Sequence, residues 1–380
     1  MNILALQIHP CCRSYKISRA AMNVDPDLTY RLILEARGYD PRFEALGYVF
    51  AEPRYWRGRL PRTLPEKIRY FMLEERSAGR RLGRMIRESG ADLVNSRGPD
   101  RLGHYAYRYG SLPVVHDVHD LYSIFPRRQT DETNPRYGLR ERYMYRKQLR
   151  WEQYVHEELD GLIYTSSYML EYARSAYRIS AETVIVPNAV LAEDVPQDRL
   201  PKLSETEGGR HLVFVGDLNR PKLDRLLEVA RVGLHVHLYP IGDAAHLTAL
   251  RRSCADQPLM HWHPTLPYRQ LLLEFTRYDF GVILWYRGAT EEIYQTSLPN
   301  KIFEYLAAGL PAIVGPFRSL TDFVESRGVG FSVEEPEQIL ERMDEPFEVP
   351  FRTEYTMEHY MPDLLAFYRS VAAQGRGRSG

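Results

Sequence analysis

Short apolar runs rich in β-branched residues alternate with helical patterns along almost the whole chain of 380 residues. Such runs, separated by helices, are typical of parallel sheets that are covered on both faces. The runs fall into two series, separated by a polar stretch from Asp198 to Arg210. The predicted strands are Ile3–Ile8, Leu93–Asn95, Val114–Val118, Gly161–Thr165, Val184–Val186, His211–Val215, His235–Tyr239, Phe280–Trp285, Pro311–Val314 and Gly330–Val333.

Two series of this kind predict two Rossmann-like domains, because one hydrophobic core rarely serves a chain of this length. We predict an N-terminal, acceptor-binding domain over residues 1–195 and a C-terminal domain over residues 205–350. Ligands of open parallel sheets bind outside the carboxyl ends of the strands, so the expected site is a cleft across which the domains face each other. The predicted fold class is α/β.

A last helical pattern, Tyr355–Val371, follows the second predicted domain within residues 351–372. Its apolar positions need a surface that a completed second domain does not obviously offer, so we predict a helix that crosses back to the first domain. Residues 373–380, which end in GRGRSG, are predicted to be a disordered tail.

The formal net charge is zero, but the charges are unevenly distributed along the chain. Residues 1–150 hold 28 basic and 17 acidic side chains, and the remaining residues carry an equal excess of acidic side chains. A neutral chain argues against nucleic-acid binding, and the basic half favours an acidic partner. The N-terminus lacks the basic region of a signal peptide, and no apolar stretch is long enough to span a membrane. Three cysteines without metal-ligand spacing fit a reducing compartment, so we expect a cytoplasmic protein.

Residues 297–314, SLPNKIFEYLAAGLPAIV, predict a helix that starts near Ser297 and Pro299 and stops before the Gly-Leu-Pro. Lys301 then lies in the first turn, where a cation is unfavourable by roughly a few tenths of a kcal/mol unless an anion lies beside it. A phosphate would interact there with the free N–H groups and the lysine. Glu304, one turn further, suits a vicinal diol such as that of ribose. On spacing alone, a solvated Lys–Glu pair is an equal alternative.

The stretch HLVFVGDLNRPKLDRLLEVA, residues 211–230, predicts a strand, a loop and a helix that begins near Pro221. Arg220 and Lys222 lie at this second helix start, where anions also bind. Only six of the 50 basic residues are lysine, and two of those six, Lys222 and Lys301, lie where a phosphate would be held. Ordinary surface charge is the alternative for Arg220 and Lys222.

Five segments resemble the GT-B glycosyltransferases of glycosyltransferase family 4. SLPNKIFEYLAAGLPAIV is similar to the family's C-terminal signature, and VFVGDLNRPK at 213–222 is similar to its phosphate loop. VVHDVHDL at 114–121 resembles a segment in which an aspartate, any residue, a histidine and an acid follow a strand. DGLIYTSSYMLEYA at 160–173 and VIVPNAV at 184–190 also resemble family segments, and all these segments occur in the family's order. The resemblance implies a GT-B fold and a retaining transferase that uses a UDP- or GDP-sugar, with no cofactor and no required metal.

The resemblance also implies roles for individual residues. His119 would face the transferred sugar, and Lys301 would act with it at the donor phosphates. Glu304 would hold the ribose as the second glutamate of an E-x7-E motif. Arg13 and Asp120 are candidates for the acceptor side, in loops of the first domain. The donor-binding set implied by the resemblance is Gly216, Arg220, Lys222, Ser297, Leu298, Pro299 and Glu304.

Two departures leave other functions open. The first glutamate of E-x7-E falls at Thr296, and Asp217 replaces the arginine that often follows the phosphate-loop glycine. Some subfamilies with a P-x-K-x-x-E-Y pattern also lack that first glutamate. A catalytically impaired GT-B partner protein is therefore an alternative. A nucleotide-sugar 2-epimerase shares the fold, but we could not place its several acid/base carboxylates.

The basic segment 54–87 carries most of the N-terminal charge excess. Its helical part predicts peripheral contact with an anionic membrane surface or with an acidic acceptor, and a solvated helix face is the alternative. The acceptor hydroxyl would belong to a glycan, a lipid-linked glycan or a natural product.

Overall fold

A computed structural model of the protein describes residues 1–7, 12–34, 50–51, 75–124, 139–284 and 291–375. The chain divides into two compact units, one formed by Met1–Pro187 with Tyr360–Gly380 and the other by Asn188–His359. The first boundary precedes residue 195 of the predicted N-terminal domain, and the second unit extends beyond residue 350. Residues 376–380 of the predicted tail and the cysteine at 11 lie outside the described residues.

The first unit contains a parallel sheet of seven strands in the order β3-β2-β1-β4-β5-β6-β7. The strands are β1 Asn2–Gln7, β2 Thr29–Leu34, β3 Phe50–Ala51, β4 Leu93–Arg97, β5 Val114–Val118, β6 Gly161–Tyr164 and β7 Glu182–Ile185. The helices are α1 Cys12–Val24, α2 Glu75–Glu88, α3 Arg101–Tyr109, α4 Leu139–Glu158 and α5 Ser167–Ala176, with a short 3-10 turn at Tyr122–Ile124.

The central strands of this sheet are buried along their length. All five residues of β4 and of β5 are buried, as a parallel sheet covered on both faces requires. Three features of this unit differ from the predictions, the first being the two-residue strand β3, which was not predicted. Strand β2, with the sequence TYRLIL, was not predicted, because Arg31 interrupts its apolar run. Arg13 lies in the first turn of α1, whereas the sequence placed it in a loop.

The chain's last helix, Met361–Gly375, belongs to the first unit, where it packs against α1 and β7. The Asn95 side chain donates a 2.6 Å hydrogen bond to the Tyr368 hydroxyl, and Arg369 pairs with Asp25 at 2.7 Å. The helix begins later than the predicted Tyr355, since 3-10 turns occupy Thr353–Tyr355 and Met357–Tyr360. It also continues into the first residues of the predicted tail.

The second unit contains a parallel sheet of six strands in the order β10-β9-β8-β11-β12-β13. The strands are β8 His211–Asp217, β9 His235–Ile241, β10 Met260–Trp262, β11 Phe280–Ile283, β12 Ala312–Val314 and β13 Gly330–Ser332. The helices are α6 Leu203–Thr206, α7 Arg220–Arg231, α8 Ala244–Arg252, α9 Tyr268–Phe275, α10 Glu291–Thr296, α11 Asn300–Ala307, α12 Arg318–Glu325 and α13 Glu337–Arg342; the last helix of the chain, Met361–Gly375, is α14.

The α/β class with two parallel sheets is confirmed. Strand β10 escaped prediction because it has only three residues, one of them a histidine. The core of the second unit includes Leu212 and Phe214 of β8 together with Leu226 of α7 and Ile313 of β12. These contacts hold the carboxyl end of β8 beside the start of α7, which is where the second unit places its candidate donor residues.

Candidate functional site

The carboxyl end of β8 allows the close approach of a cation. Gly216 has a φ of 115°, a conformation that side chains with a Cβ rarely adopt. A Cβ at this position would lie 3.3 Å from the Lys301 Nζ atom. Glycine can therefore adopt this backbone conformation, and its lack of a side chain leaves space for the Lys301 ammonium. The next helix, α7, is capped by Asn219, whose side chain accepts a 3.1 Å hydrogen bond from the backbone N–H of Lys222.

The two basic residues at the start of α7 differ in their surroundings. The Lys222 Nζ atom donates to the backbone oxygen of Asp217 and pairs with its carboxylate, both at 2.9 Å. Only 12% of the Lys222 side chain is exposed, so its ammonium is held in the loop. Arg220 pairs at 2.8 Å with Asp224, and more than half of its side chain is exposed. Lys222 is therefore the better placed of the two to meet an anion at the loop.

Lys301 lies in the first turn of α11, behind Pro299, which provides no side-chain cap. Its Nζ atom lies 4.5 Å from the centre of the Phe214 ring, a cation–π contact. Burial and, after it, the charge of Lys222 lower the pKa of Lys301 to about 8, although Glu304 and Asp217 oppose the shift. Lys301 forms no ion pair with any residue that the structure describes. This arrangement leaves a poorly solvated cation at the positive end of a helix, where an anion would relieve it.

Glu304 lies one turn further along α11 and is 9% exposed. Its Oε1 atom accepts a 3.1 Å hydrogen bond from the hydroxyl of Tyr268, the first residue of α9. The carboxylate is thus oriented by a tyrosine that the sequence analysis did not select. Nothing in the spacing of Tyr268 indicated this contact, since 36 residues separate it from Glu304.

The residues just before α11 are fixed by hydrogen bonds to the preceding helix. The hydroxyls of Thr296 and Ser297 both donate to the backbone oxygen of Ile293, at 3.1 and 2.7 Å. The backbone oxygen of Leu298 accepts a 3.4 Å hydrogen bond from Asn188. An anion at this helix start would therefore meet backbone N–H groups and Lys301 rather than the Ser297 hydroxyl. The helix itself begins at Asn300, slightly later than predicted.

In the first unit, the carboxyl end of β5 carries a buried ion pair, and an exposed histidine directly follows the strand. Arg13 contacts Asp117 at 3.0 Å, and Arg97 lies 3.5 Å from the same carboxylate. Burial alone would raise the pKa of Asp117, but the charges of both arginines and the hydrogen bonds of Arg13 lower it to about 2. Arg13 also donates a 3.0 Å hydrogen bond to the backbone oxygen of Pro187. Arg13 is therefore committed to the interior, where it fixes the end of β5.

His119 and Asp120 follow that strand and are exposed. The protein around the His119 ring removes part of its hydration, which lowers the pKa of the imidazole. The charge of Arg97 lowers this pKa further. Asp120 opposes the shift. The imidazole is therefore neutral at neutral pH, so it offers one hydrogen-bond donor and one acceptor. Arg97 was not selected from the sequence, although it ends strand β4 at the edge where ligands bind.

Two family matches cover most of the chain. Residues 31–193 match the family described as Glycosyltransferase Family 4. Residues 212–348 match the family described as Glucosyltransferase 3-like, C-terminal domain. Both matches are to glycosyltransferase families, and the chain is a glycosyltransferase. None of the curated proteins compared matches it significantly by sequence.

Solved structures show that the fold of the glycosyltransferase is GT-B. A sucrose-phosphate synthase from Thermosynechococcus elongatus aligns with a TM-score of 0.62 at 13% identity, over 98% of this chain and 97% of that one. HepE from Anabaena, in complex with UDP-glucose, aligns with a TM-score of 0.57 at 12% identity, over 99% and 98%. WaaG, a glycosyltransferase involved in lipopolysaccharide biosynthesis, aligns with a TM-score of 0.55 at 12% identity, over 100% and 96%.

The described ranges of the glycosyltransferase contain neither a candidate metal cluster nor a candidate membrane-spanning helix. There, no group of three or more His, Cys, Asp or Glu side chains has the arrangement of a metal site. No helix within the same ranges is long and apolar enough to cross a membrane.

Proposed function

We propose that the glycosyltransferase is a retaining enzyme that moves a sugar from a nucleoside-diphosphate donor to an acceptor hydroxyl. The observation that carries the proposal is Lys301, a desolvated cation at the start of α11 without an ion pair among the described residues. The diphosphate of a UDP- or GDP-sugar would supply the missing anion. The structures of HepE with UDP-glucose and of MnaA from S. aureus with UDP, which share this fold, support a donor of this kind.

The donor would lie along the start of α11 in the second unit. Its diphosphate would contact Lys301, Lys222 and the free backbone N–H groups of the helix start. Its ribose would donate two hydrogen bonds to Glu304, whose carboxylate is already oriented by Tyr268. Gly216 would let the phosphates approach the loop backbone. No metal or other cofactor is part of this proposal.

In the proposed reaction, the bond between the anomeric carbon and the diphosphate oxygen breaks, and its electron pair leaves with the diphosphate. The acceptor oxygen forms the new bond on the same face, and its proton passes to the departing diphosphate. Lys301 and Lys222 stabilise the charge that grows on the leaving group. His119, as a neutral imidazole, would hydrogen-bond to the transferred sugar in accordance with the family resemblance.

The decisive experiment incubates the full chain with UDP-glucose, UDP-N-acetylglucosamine and GDP-mannose, with and without glycan, lipid-linked and natural-product acceptors. We expect acceptor-dependent release of nucleoside diphosphate and, by NMR, a product with the anomeric configuration of the donor. An inverted product would refute the retaining mechanism. Acceptor-independent formation of an epimerised sugar would support a 2-epimerase instead.

A catalytically impaired binding protein is the second candidate, and the Lys222–Asp217 ion pair favours it. Asp217 neutralises one of the two cations on which the leaving group would depend. UDP binding by calorimetry without release of nucleoside diphosphate from any donor would support this candidate. Recovery of turnover in Asp217→Arg, the residue that the family often carries, would identify the carboxylate as the cause.

We further propose that the first unit makes peripheral contact with an anionic membrane surface through α2. The exposed side of this helix includes Arg76, Arg80 and Arg84, whereas Leu82 and Ile86 are buried against the unit. Residues 54–74 of the basic segment lie outside the described residues. Binding to vesicles of phosphatidylglycerol, but not to phosphatidylcholine, and its loss in Arg76→Glu/Arg80→Glu/Arg84→Glu would support the contact. Equal binding of that variant would refute it.

A further inference from the structure

Glu152 of α4 is a fully buried carboxylate that contacts the segment after His119. Its Oε2 atom accepts hydrogen bonds from the backbone N–H of Tyr122 and, at 3.2 Å, of Ser123. Its Oε1 atom accepts from the Ser123 hydroxyl at 2.6 Å and from the Tyr177 hydroxyl at 2.6 Å. Each of these partners donates, so an ionised carboxylate satisfies all of them together.

The two backbone N–H groups belong to the start of the 3-10 turn Tyr122–Ile124. The first N–H groups of a helical turn have no partner within it, so Glu152 caps this turn from another helix. Leu121 and Ile124 on either side of the capped groups are buried, at 0% and 2% exposure. Together these contacts anchor the turn to the interior of the first unit.

His119 and Asp120 lie between two fixed points. Val118 before them ends the buried strand β5, and Leu121 after them is buried beneath the capped turn. Two exposed residues held at both ends have little freedom to change direction. The orientation of this short stretch therefore depends on the turn, and the turn depends on Glu152.

We propose that Glu152 is a positioning residue that holds the turn Tyr122–Ile124 and thereby orients His119. The inference rests on the proposed function, in which His119 contacts the transferred sugar. Glu152 itself touches no substrate. Its loss should act on turnover through the histidine, with little effect on donor binding in the second unit.

The protonation of Glu152 gives the inference a measurable signature. Burial raises its pKa to about 7, hydrogen bonds from Ser123 and Tyr177 oppose the rise, and the charge of Asp100 adds to it. The titratable groups around it are Tyr122 of the turn, Tyr177 after α5, Asp100 before α3, Tyr164 of β6 and His156 of its own helix. A protonated carboxyl must donate one hydrogen and holds the N–H groups less firmly, so kcat should fall as the pH drops through about 7.

Stability should follow the opposite course. The folded-state pKa of Glu152 lies above the ordinary glutamate value of 4.5, so this group stabilises the folded protein fully below about pH 4.5. That contribution is lost as the pH rises through about 7. If Glu152 had a purely structural role, only Tm would change with its protonation. If it positions His119, kcat should rise over the same pH range in which Tm falls.

The test compares full-length Glu152→Ala, Glu152→Gln and Tyr177→Phe with Val155→Ala, a control at a buried position of the same helix. We expect Glu152→Ala to lose kcat at least tenfold, with donor KM and UDP binding within twofold of wild type. Glu152→Gln should recover part of that loss and lack the pH-dependent component near 7. Tyr177→Phe should move this component to higher pH, because it removes a hydrogen bond that favours the ionised form. Val155→Ala should lower Tm and keep kcat.

A second measurement is independent of turnover. The His119 Cε1–H signal in the NMR spectrum, assigned by its absence in His119→Ala, should shift or titrate differently in Glu152→Ala but not in Val155→Ala. Normal kcat in Glu152→Ala, or an unchanged His119 signal, would overturn the positioning role. If the wild type transfers no sugar, the proposed function fails, and the NMR signal alone decides whether Glu152 orients His119.

Discussion

Lys301 shows how a residue that is unfavourable in the empty protein can indicate a ligand. A lysine in the first turn of a helix opposes the macrodipole, and burial of its ammonium adds a desolvation cost. The position of Lys301 is explained if this cation lowers the stability of the empty protein but binds the diphosphate of a donor. This expectation follows from local helix rules alone, which is why the sequence could predict it.

We expect Lys301→Met to lower kcat at least tenfold and to change donor KM less, because the charge matters most as the diphosphate departs. The folded-state pKa of about 8 lies below the ordinary lysine value of 10.5, so the charged Lys301 lowers stability at neutral pH, and Met removes this cost. Tm without ligand should therefore be unchanged or higher. Steady-state kinetics and calorimetry on one variant measure both effects. Reduced Tm with normal turnover would make the lysine structural.

Glu304→Ala should raise the donor dissociation constant by about tenfold to a hundredfold, from two lost hydrogen bonds of roughly 1.5–3 kcal/mol each, partly replaced by water. Glu304→Gln should lose less. Tyr268→Phe is the matched control for orientation, since it removes the 3.1 Å contact and leaves the carboxylate. Titration of UDP by calorimetry provides the measurement. Unchanged affinity in a folded Glu304→Ala variant would remove the ribose assignment.

Contacts between residues far apart in the chain explain what the sequence could not predict at this scale. Arg13 was selected as a loop residue, but it pairs with Asp117 across 104 residues, and no local pattern encodes that distance. Glu152 and Tyr268 were missed for the same reason. Lys222 and Gly216 were found because both belong to one strand–loop–helix segment.

At the scale of elements, strands β8, β9 and β10 carry four neighbouring histidines of the second sheet, and a fifth, His263, directly follows β10. Rings in register stack, as His211 does on His235 at 4.3 Å and His237 on His261 at 4.4 Å between ring centres. Diagonal neighbours bond through ring nitrogens, among them His237 with His263 at 2.9 Å. We call these five residues the histidine ladder. It lies partly on β10, the strand that was too short to be predicted.

The histidine ladder should make the second unit sensitive to acid. Burial and, after it, the neighbouring imidazoles lower the pKa of His237 to about 2, and the pKa values of His235, His261 and His263 are also lowered. Since the unfolded pKa is about 6.5, the stabilising effect of a neutral ring is full above that value and is lost as the pH falls. At pH 5 the loss of folding stability due to His237 amounts to about 2 kcal/mol.

Thermal unfolding followed from pH 7.5 to 5 measures this loss. His261→Phe keeps a ring in the stack but removes one imidazole that must stay neutral, so its Tm should fall less steeply with acid than that of the wild type. Glu207 and Glu274, which favour protonation of the ladder, are unchanged in this variant. His246→Gln, an exposed histidine in the same unit, is the control and should follow the wild type. Parallel slopes in all three proteins would contradict the prediction.

At the scale of the whole molecule, the chain leaves the first unit at Pro187 and returns to it at Tyr360. The apolar stripe of the last helix predicted that this segment needed a surface, but the surface itself involves residues near the start of the chain. The helix packs against α1 and β7, and it buries Leu364, Leu365, Phe367 and Tyr368. The stability of the first unit therefore depends on a segment that is separated in the chain from the rest of that unit.

A chain that ends at His359 should lose the first unit and keep the second. Four buried side chains at about 1.5–3 kcal/mol each approach the whole stability of a typical domain. Calorimetry of the full chain should show two transitions, of which only that of the second unit rises with UDP, because the proposed donor residues all lie there. The shortened chain should show that transition alone, with UDP binding intact. A chain that ends at Gly375 is the control and should match the full protein. If the chain ending at His359 kept both transitions, the last helix would be dispensable to the first unit, and its buried face would not be the support that we assign to it.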